Sequence, residues 1–527
     1  MINARTIGLT TLLWCQLACL STAALAQTRS EDERVEVIVS RPEDAGPQRR
    51  PLSAFFAAIK SRIADIRSRV LPLTHCEKWS VAKKDLERLK REAAKQGVVV
   101  TQLGPDWRQL MHAADETQLD EKQKALVERA KTSKSTLGVK IMRAPPPAVL
   151  EHALTTEVKN PDGTSEPAKI TVAFADNTTI TIVRSSIDLR PDMCIWRGTV
   201  EGSEAQVTLM WWANGKMTGT VQGRGRPQSI RHLGGRLYAV VEMGEDRMPQ
   251  EHAPMSQGAR DDPALRDDPL VRQGDASSVK PKIAAPSPAA KPTQAARQTV
   301  APAAPPGTDV TIDVIVAYTR KAASSYADVK RELVDLSIEE ANNSFRMSNL
   351  GNIKLRLVHA YQTDYVEQGA HFDHVWRFAD KGDGYMDEIH ALRDTYRADV
   401  GVLIVDDPQG CGLATRVYAD AEEAFAVVHH ECAATTYSLA HEIGHLIGAR
   451  HDLSLDKMMT PFAYGHGYVN GSKWRDIMSY KESCGGCPRL PVWSSPLVKI
   501  KGEPAGTLEL DNARVISEQA ARVAAFR

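Results

Sequence analysis

The sequence carries no excess of charge of either sign and, beyond its N-terminus, no long apolar run. Its 66 lysine and arginine residues equal its 66 aspartate and glutamate residues, so charge gives no indication of a nucleic-acid partner. No later apolar stretch reaches the length of a transmembrane helix. A second CxxC motif is also missing beside Cys484 and Cys487, which favours a structural role for this pair over a redox or four-cysteine metal role.

The N-terminus is the exception, because it predicts a signal peptide over residues 1–26. A positive charge at Arg5 precedes an apolar run, and small residues at Ala24 to Ala26 fit a cleavage site. A lipoprotein anchored at Cys19 is the alternative, but the residues before this cysteine fit a lipobox poorly. We therefore expect a secreted or periplasmic protein. Cleavage leaves an even number of cysteines, which favours disulfides: Cys76, Cys194, Cys411, Cys432, Cys484 and Cys487.

The length of 527 residues predicts more than one domain. Apolar residues at helical spacing from Leu52, and a second helix predicted from Trp79 to Gln96, indicate a helical part over 52–135. From 148 to 244 the period changes to two. Two turn signals, Asp176-Asn177 and Asn214-Gly215, predict hairpins there. Residues 27–244 are thus predicted to form a domain with a helical and a β-rich part.

Residues 245–307 are rich in proline and alanine and are predicted to form an extended linker. The following domain, 308–527, alternates strand and helix, which predicts a mostly parallel sheet. Its strands are predicted at Val310–Ala317, Ile353–His359, Val400–Val405, Cys411–Tyr418 and Ala424–His430. Its helices are predicted around Val334 to Phe345, at Tyr385–Tyr396, at Tyr437–Gly448 and, with Asp511 as its cap, at Asp511–Phe526.

The most informative stretch runs from His441 to His451. Histidines four residues apart, His441 and His445, project from one face of a helix. Gly448 lets the helix end and the chain turn back, so that His451 can reach the same ion. Three neutral imidazoles leave one position of a tetrahedral Zn²⁺ open, as in catalytic zinc sites. Glu442 is not needed as a ligand and can serve as a general base toward water whose pKa the ion lowers to about 7.

The complete pattern H-E-x-x-H-x-x-G-x-x-H, followed by a methionine in Asp476-Ile477-Met478, identifies residues 308–527 as resembling the metzincin metallopeptidases. They look most like the reprolysin-like peptidyl-Asp metalloendopeptidases of bacteria. The segments that carry this resemblance are Gly412-Leu413-Ala414, Asp452 after the last histidine, Tyr464 to Tyr468, and Trp493 to Pro496.

The resemblance implies a five-stranded mixed sheet whose fourth strand is an antiparallel edge, with Met478 in a turn beneath the zinc. Polypeptide substrate would pair with the edge strand through Gly412, Leu413 and Ala414. This strand order implies a Cys411–Cys432 disulfide, which leaves Cys484 to pair with Cys487. For Cys194 two interpretations remain: a bridge to Cys76, or a cysteine that occupies the zinc in the precursor, as in some metzincins.

The family also implies cleavage before aspartate, which requires a cation near the cut; Arg416, Lys481 and Arg489 are the candidates. Residues 27–244 are then expected to be a propeptide that acts as an inhibitor or folding aid. The linker offers several aspartates, and the bond before Asp275 combines a flexible preceding glycine with no following proline. We therefore expect the precursor to cut itself there.

Alternatives stay open for the function and for two groups of polar residues. The chain could be an exported binding protein with an inert zinc domain, or a zinc hydrolase of a non-peptide amide or ester. The histidines of His429-His430-Glu431, and His466, could be strand-end or surface residues rather than ligands. Asp383, Asp387 and Glu388 could hold Ca²⁺ but lack the EF-hand pattern, and an exposed helix start is the other interpretation.

Overall fold

The computed structural model describes residues 34–40, 57, 67–70, 76–159, 164–173, 178–212, 214–222, 226–251, 308–369 and 371–527. The predicted signal peptide, the turn at Asp176-Asn177, the bond before Asp275 and most of the predicted first helix lie outside these residues. The chain forms two compact units, one of residues 1–110 with 145–170 and the other of residues 111–144 with 171–527. Among the described helices, none is long and apolar enough to cross a membrane.

The first unit contains a four-stranded antiparallel sheet. Its strands, in spatial order, are Arg67–Val70, Glu77–Ala82, Arg34–Ser40 and Val99–Gln102. Its other elements are a 3₁₀ turn at Lys83–Asp85, helices at Leu86–Lys95 and Pro147–Thr155, and short strands at Val158–Lys159 and Ser165–Glu166.

The prediction that the second helix begins at Trp79 is wrong, because Trp79 lies in the strand Glu77–Ala82. Trp79 and Val81 are buried while Ser80 and Ala82 are half-buried, which is the two-residue alternation of a strand. The helix begins only at Leu86. Val70, assigned to the first helix, also lies in a strand. A helix does form at Glu121–Thr132, where Asp120 and Gln123 make a capping box.

A nine-stranded sheet lies in the second unit, apart from the first two residues of its strand Lys169–Ala173. In spatial order its strands are His112–Ala113, Thr136–Arg143, Leu237–Met243, Gln228–Gly234, Met217–Val221, Gln206–Trp212, Met193–Val200, Thr179–Leu189 and Lys169–Ala173. Short 3₁₀ turns lie at Glu116–Gln118 and Glu245–Arg247. The hairpin predicted at Asn214-Gly215 is confirmed: its two strands pair antiparallel, and Gly215 has a φ of 84°.

Residues from 308 onward contain a five-stranded mixed sheet. Its spatial order is Ile353–Gln362, Val310–Tyr318, Val400–Val405, Phe425–His429 and Gly412–Ala414. The first four strands are parallel, and Gly412–Ala414 is an antiparallel edge. Every residue of Val400–Val405 is buried, as expected for a strand covered on both faces. The edge strand is shorter than predicted, because the chain leaves the sheet after Ala414 and turns at Tyr418, whose φ is 63°.

Helices and short strands complete this part of the chain. The helices are Arg320–Ala323, Lys330–Asp335 (a π-helical turn), Leu336–Met347, His371–Ala379, Glu388–Tyr396, Ser438–Ile447 and Asn512–Val523, with a 3₁₀ turn at Glu482–Cys484. The short strands are Val469–Asn470, Trp474–Arg475, Lys499–Ile500 and Glu503–Pro504. The helix at His371–Ala379 was not predicted. Asp511 caps the last helix as predicted, accepting a bond of 3.0 Å from the Arg514 amide.

Candidate active site

Two histidines of the predicted motif lie on the helix Ser438–Ile447, called here the histidine helix. All ten of its residues are buried. Gly444 faces the Trp493 ring and Met478 so closely that a side chain would overlap the indole. The helix ends at Gly448, whose φ of 136° disfavours any residue with a side chain. The chain then turns and carries His451 back toward the helix.

The Nε2 atoms of the three histidines converge. They lie 3.1 Å apart between His441 and His445, 3.0 Å between His441 and His451, and 2.9 Å between His445 and His451. The Nδ1 atoms of His441 and His445 donate to the carbonyls of Ile477 and Ala449, both at 2.9 Å. Since those nitrogens hold the ring protons, the Nε2 lone pairs of His441 and His445 face each other and the Nε2 atom of His451. Such a cluster fits a metal cation that accepts all three lone pairs.

Burial keeps these imidazoles neutral. It lowers the pKa of His441 to about 3 and the pKa values of His445 and His451 well below their usual range. A metal ligand must be unprotonated, so the three rings are available as ligands throughout the neutral range. The donor set of three imidazoles fits Zn²⁺.

Glu442 lies beside the three histidines but does not belong to the cluster of ligand atoms that they form. The Ala414 amide of the edge strand donates to its carboxylate. Its Oε2 atom is buried and has no hydrogen-bond partner among the described residues. Burial, and next the charge of Glu251, raises the pKa of Glu442 well above its usual range. The carboxylate is therefore a poorly solvated, strong proton acceptor next to the histidines.

The floor of the site comes from the turn that contains Met478. Met478 is fully buried, and the preceding Ile477 carbonyl orients His441. The Tyr480 ring lies 4.5 Å from the ring of His451. The turn thus holds the histidines from below, where the sequence placed Met478.

Both disulfides implied from the strand order are present. Cys411–Cys432 ties the start of the edge strand to the loop after strand Phe425–His429, and Cys484–Cys487 closes a short loop. Cys76 and Cys194 are buried and do not form a disulfide with each other in this structure, so the bridge predicted between them is not present. Among the described residues, Cys194 does not belong to a cluster of side chains that could bind a metal ion. The contact between Cys194 and zinc is therefore not supported.

The other candidate polar residues have structural partners. His429 and His430 are buried, not surface residues, and their Nε2 atoms lie 3.7 and 3.5 Å from Asp406. Asp406, His429 and His430 form a second cluster, whose ligand atoms lie within 4.8 Å of one another. Within it, His429 Nδ1 accepts a bond from the Glu431 amide, which places the ring proton of His429 on Nε2.

Two further predictions concern His466 and the Asp383–Glu388 cluster. His466 is also buried, with its ring nitrogens 2.8 and 3.0 Å from the carbonyls of His451 and Met458. Asp387 accepts bonds from the amides of Gly382 and Gly384. These two bonds stabilise the loop, and among the described residues Asp387 does not belong to a cluster of side chains that could bind a metal ion.

A segment that the sequence assigned to the linker also reaches the site. The segment Glu245–Glu251, called here the anchor segment, is not extended linker. The Cys411 amide donates to the Gln250 carbonyl at 2.8 Å. Glu245 pairs with Arg475 and Glu251 pairs with Arg489. In the sequence, Glu245 and Glu251 are only two acidic residues six positions apart, which is too common a pattern to indicate these contacts.

Comparisons with known proteins agree with this geometry. The family model described as Reprolysin_5, Metallo-peptidase family M12, matches residues 308–494. A peptidyl-Asp metalloendopeptidase of Xanthomonas campestris is 37% identical over 67% of this chain and 80% of its own. One from Stenotrophomonas maltophilia is 35% identical over 66% and 80%. One from Pseudomonas fragi is 34% identical over 36% of this chain and its entire length.

The mixed sheet, the histidine helix and these relatives define the class of protein: a zinc metalloendopeptidase. More particularly, the chain belongs to the reprolysin-like metallopeptidases of family M12.

Proposed function

We propose that the chain is an exported endopeptidase made as a precursor, in which His441, His445 and His451 hold Zn²⁺ and Glu442 is the general base. The observation that carries this proposal is the convergence of three Nε2 atoms within 3.1 Å of one another beside a buried carboxylate. When bound, Zn²⁺ supplies a Lewis acid and lowers the pKa of water.

Glu442 provides the proton transfers of this mechanism. Its carboxylate takes a proton from the attacking water and gives it to the amine that leaves when the peptide bond breaks. The Ala414 amide that donates to Glu442 belongs to the edge strand, so the base is held in place by the strand proposed to bind substrate. An extended substrate can pair with that strand by main-chain hydrogen bonds.

The relatives named peptidyl-Asp metalloendopeptidases support cleavage next to aspartate. We propose that this enzyme cuts polypeptides before aspartate. The proposed precursor comprises a signal peptide at 1–26, a propeptide at 27–244, the anchor segment at 245–251, a linker over the rest of the predicted 245–307 and a catalytic domain at 308–527. Contacts between the nine-stranded sheet and residues after 308 support the propeptide as a partner of the catalytic domain, for example the Arg197–Glu339 ion pair at 2.7 Å.

Casein zymography with metal analysis tests this function. Glu442→Ala is expected to lose hydrolysis yet to retain one Zn²⁺ per chain, because Glu442 is not a ligand. His441→Ala and His451→Ala are expected to lose both. A chelator should inactivate the unmodified enzyme, and added Zn²⁺ should restore it. Near-normal turnover by Glu442→Ala would show that another group is the base, and casein left intact by the unmodified enzyme would remove the endopeptidase proposal.

A further inference from the structure

Arg489 is a buried cation beside the histidine helix. Its side chain is 3% exposed. It donates to the carbonyls of Thr436 at 2.9 Å and of Ser479 at 3.1 Å. Thr436 lies just before the histidine helix and Ser479 just after Met478, so the guanidinium lies between two elements that build the site. The positive charge of Arg489 interacts electrostatically with His441, Glu442 and His451.

The carboxylate that pairs with Arg489, among the described residues, is Glu251 of the anchor segment. The two other cations that the sequence offered have different surroundings. Arg416 pairs with Glu423 of its own domain. Lys481 is bound less closely, with its Nζ 3.4 Å from the Glu245 carbonyl. Arg489 is therefore the cation whose neutralising partner comes from the part of the chain proposed to leave.

The backbone places Glu251 close to the reacting centre. The preceding Gln250 carbonyl accepts from the Cys411 amide, one residue before Gly412. Gly412 packs against the Glu442 carboxylate so tightly that a Cβ atom would overlap it. The negative charge of Glu251 also interacts electrostatically with Glu442 and Tyr480. Glu251 thus lies where the side chain of a bound peptide would lie if that peptide paired with the edge strand.

A second ion pair increases the requirement for a carboxylate. Arg475 is also 3% exposed, and it pairs with Glu245 at the other end of the anchor segment. Arg489 and Arg475 act on each other as like charges. When the anchor segment leaves, both buried guanidinium groups lose these carboxylate partners, and an unpaired buried charge is costly. A substrate carboxylate can replace the lost partner.

We propose that Arg489 binds the acidic side chain of the substrate, and that Glu251 occupies the same position in the precursor. The proposal rests on the proposed endopeptidase function and names its specificity residue and its inhibitory contact. A planar guanidinium already held by two backbone carbonyls is preorganised to bind one carboxylate.

Two quenched peptides that differ only in Asp or Asn after the cut test the specificity. With the full chain in the form to which it matures, the kcat/KM ratio for Asp over Asn should fall about a hundredfold in Arg489→Gln. Arg489→Lys should restore part of it, and Arg416→Gln should keep the ratio of the unmodified enzyme. An unchanged ratio in Arg489→Gln, or an equal loss on both peptides, would overturn the assignment. If the unmodified enzyme cuts neither peptide, the proposed function fails instead.

The inhibitory contact has its own test, which does not require an Arg489 variant to fold. In Glu251→Gln, the initial rate of the uncut full chain on the Asp peptide should rise at least about tenfold, because the position beside Arg489 is no longer held by a carboxylate. Asp246→Asn removes an equal charge from an exposed residue of the same segment and should behave as the unmodified precursor. Equal initial rates for Glu251→Gln and Asp246→Asn would overturn the occupancy of this position by Glu251.

Discussion

Gly412 packs directly against the carboxylate of Glu442, and a Cβ atom on this glycine would overlap Oε1. The φ of Gly412 is not positive. A glycine is therefore required here for lack of space and not for its backbone conformation. The edge strand and the proposed base therefore fit together only without a side chain here.

Gly412→Ala is expected to move the Glu442 carboxylate and lower kcat about a hundredfold, since a displacement near 1 Å can have this effect. Zinc content should stay at one ion per chain, because the histidines are not touched. Gly351→Ala is the matched control, since a Cβ there meets nothing within 4 Å. Turnover of Gly412→Ala at the unmodified rate would contradict this close fit.

A buried carboxyl between the nine-stranded sheet and the catalytic domain should make stability depend on pH. Burial raises the pKa of Glu340 from 4.5 to about 7, although the Thr220 hydroxyl donates to it. The stability that the neutral carboxyl provides is present below about pH 4.5 and is lost as pH rises through about 7. Glu340→Gln should therefore be more stable than the unmodified chain by on the order of 3 kcal/mol at pH 8, with little difference near pH 4.5.

Urea denaturation at both pH values measures this difference, and the neighbouring residue is its control. Glu339 forms an ion pair of 2.7 Å with Arg197, so Glu339→Gln should destabilise the chain by leaving a buried arginine unpaired. If Glu340→Gln were less stable than the unmodified chain at pH 8, the carboxyl would be favourably ionised in the fold.

The two disulfides should differ in their contribution to stability. Cys411 and Cys432 are separated by 21 residues, whereas Cys484 and Cys487 are separated by 3. Chain entropy then predicts a loss of about 3 kcal/mol for the double serine variant of the first pair and about 1.6 kcal/mol for that of the second. Urea unfolding of both variants gives the comparison, and a larger loss for the short loop would refute the entropic account.

Maturation should depend on the enzyme's own activity. We expect N-terminal sequencing of the purified active form to begin at Asp275, and Glu442→Ala to stay uncut. Added active enzyme should cut the Glu442→Ala chain at the same bond. Processing of purified Glu442→Ala on its own would mean that maturation is not autocatalytic.

The sequence predicted those features whose causes are local. The spacing of His441 and His445, the glycine that ends their helix, and the cap at Asp511 act within a few residues, and the structure contains each of them. The strand Glu77–Ala82 was missed because a helical pattern was extended through Trp79, although Ser80 and Ala82 alternate with buried residues.

Contacts between distant parts of the chain could not be predicted in this way. The Arg475–Glu245 pair joins residues 230 positions apart, and no local pattern indicates which acidic residue a buried arginine will contact. To choose among Arg416, Lys481 and Arg489, one must know the partner of each side chain. Only the fold provides these partners.

The edge strand Gly412–Ala414 has a second consequence, for aggregation. An open strand edge offers unpaired amides and carbonyls to any other extended chain, including another copy of the protein. Here the edge is only three residues long, and the anchor segment lies beside its start, with Gln250 bonded to the Cys411 amide. The full chain therefore has the start of this edge already paired, and under the proposed maturation the edge would become available to other chains only once the anchor segment has left it.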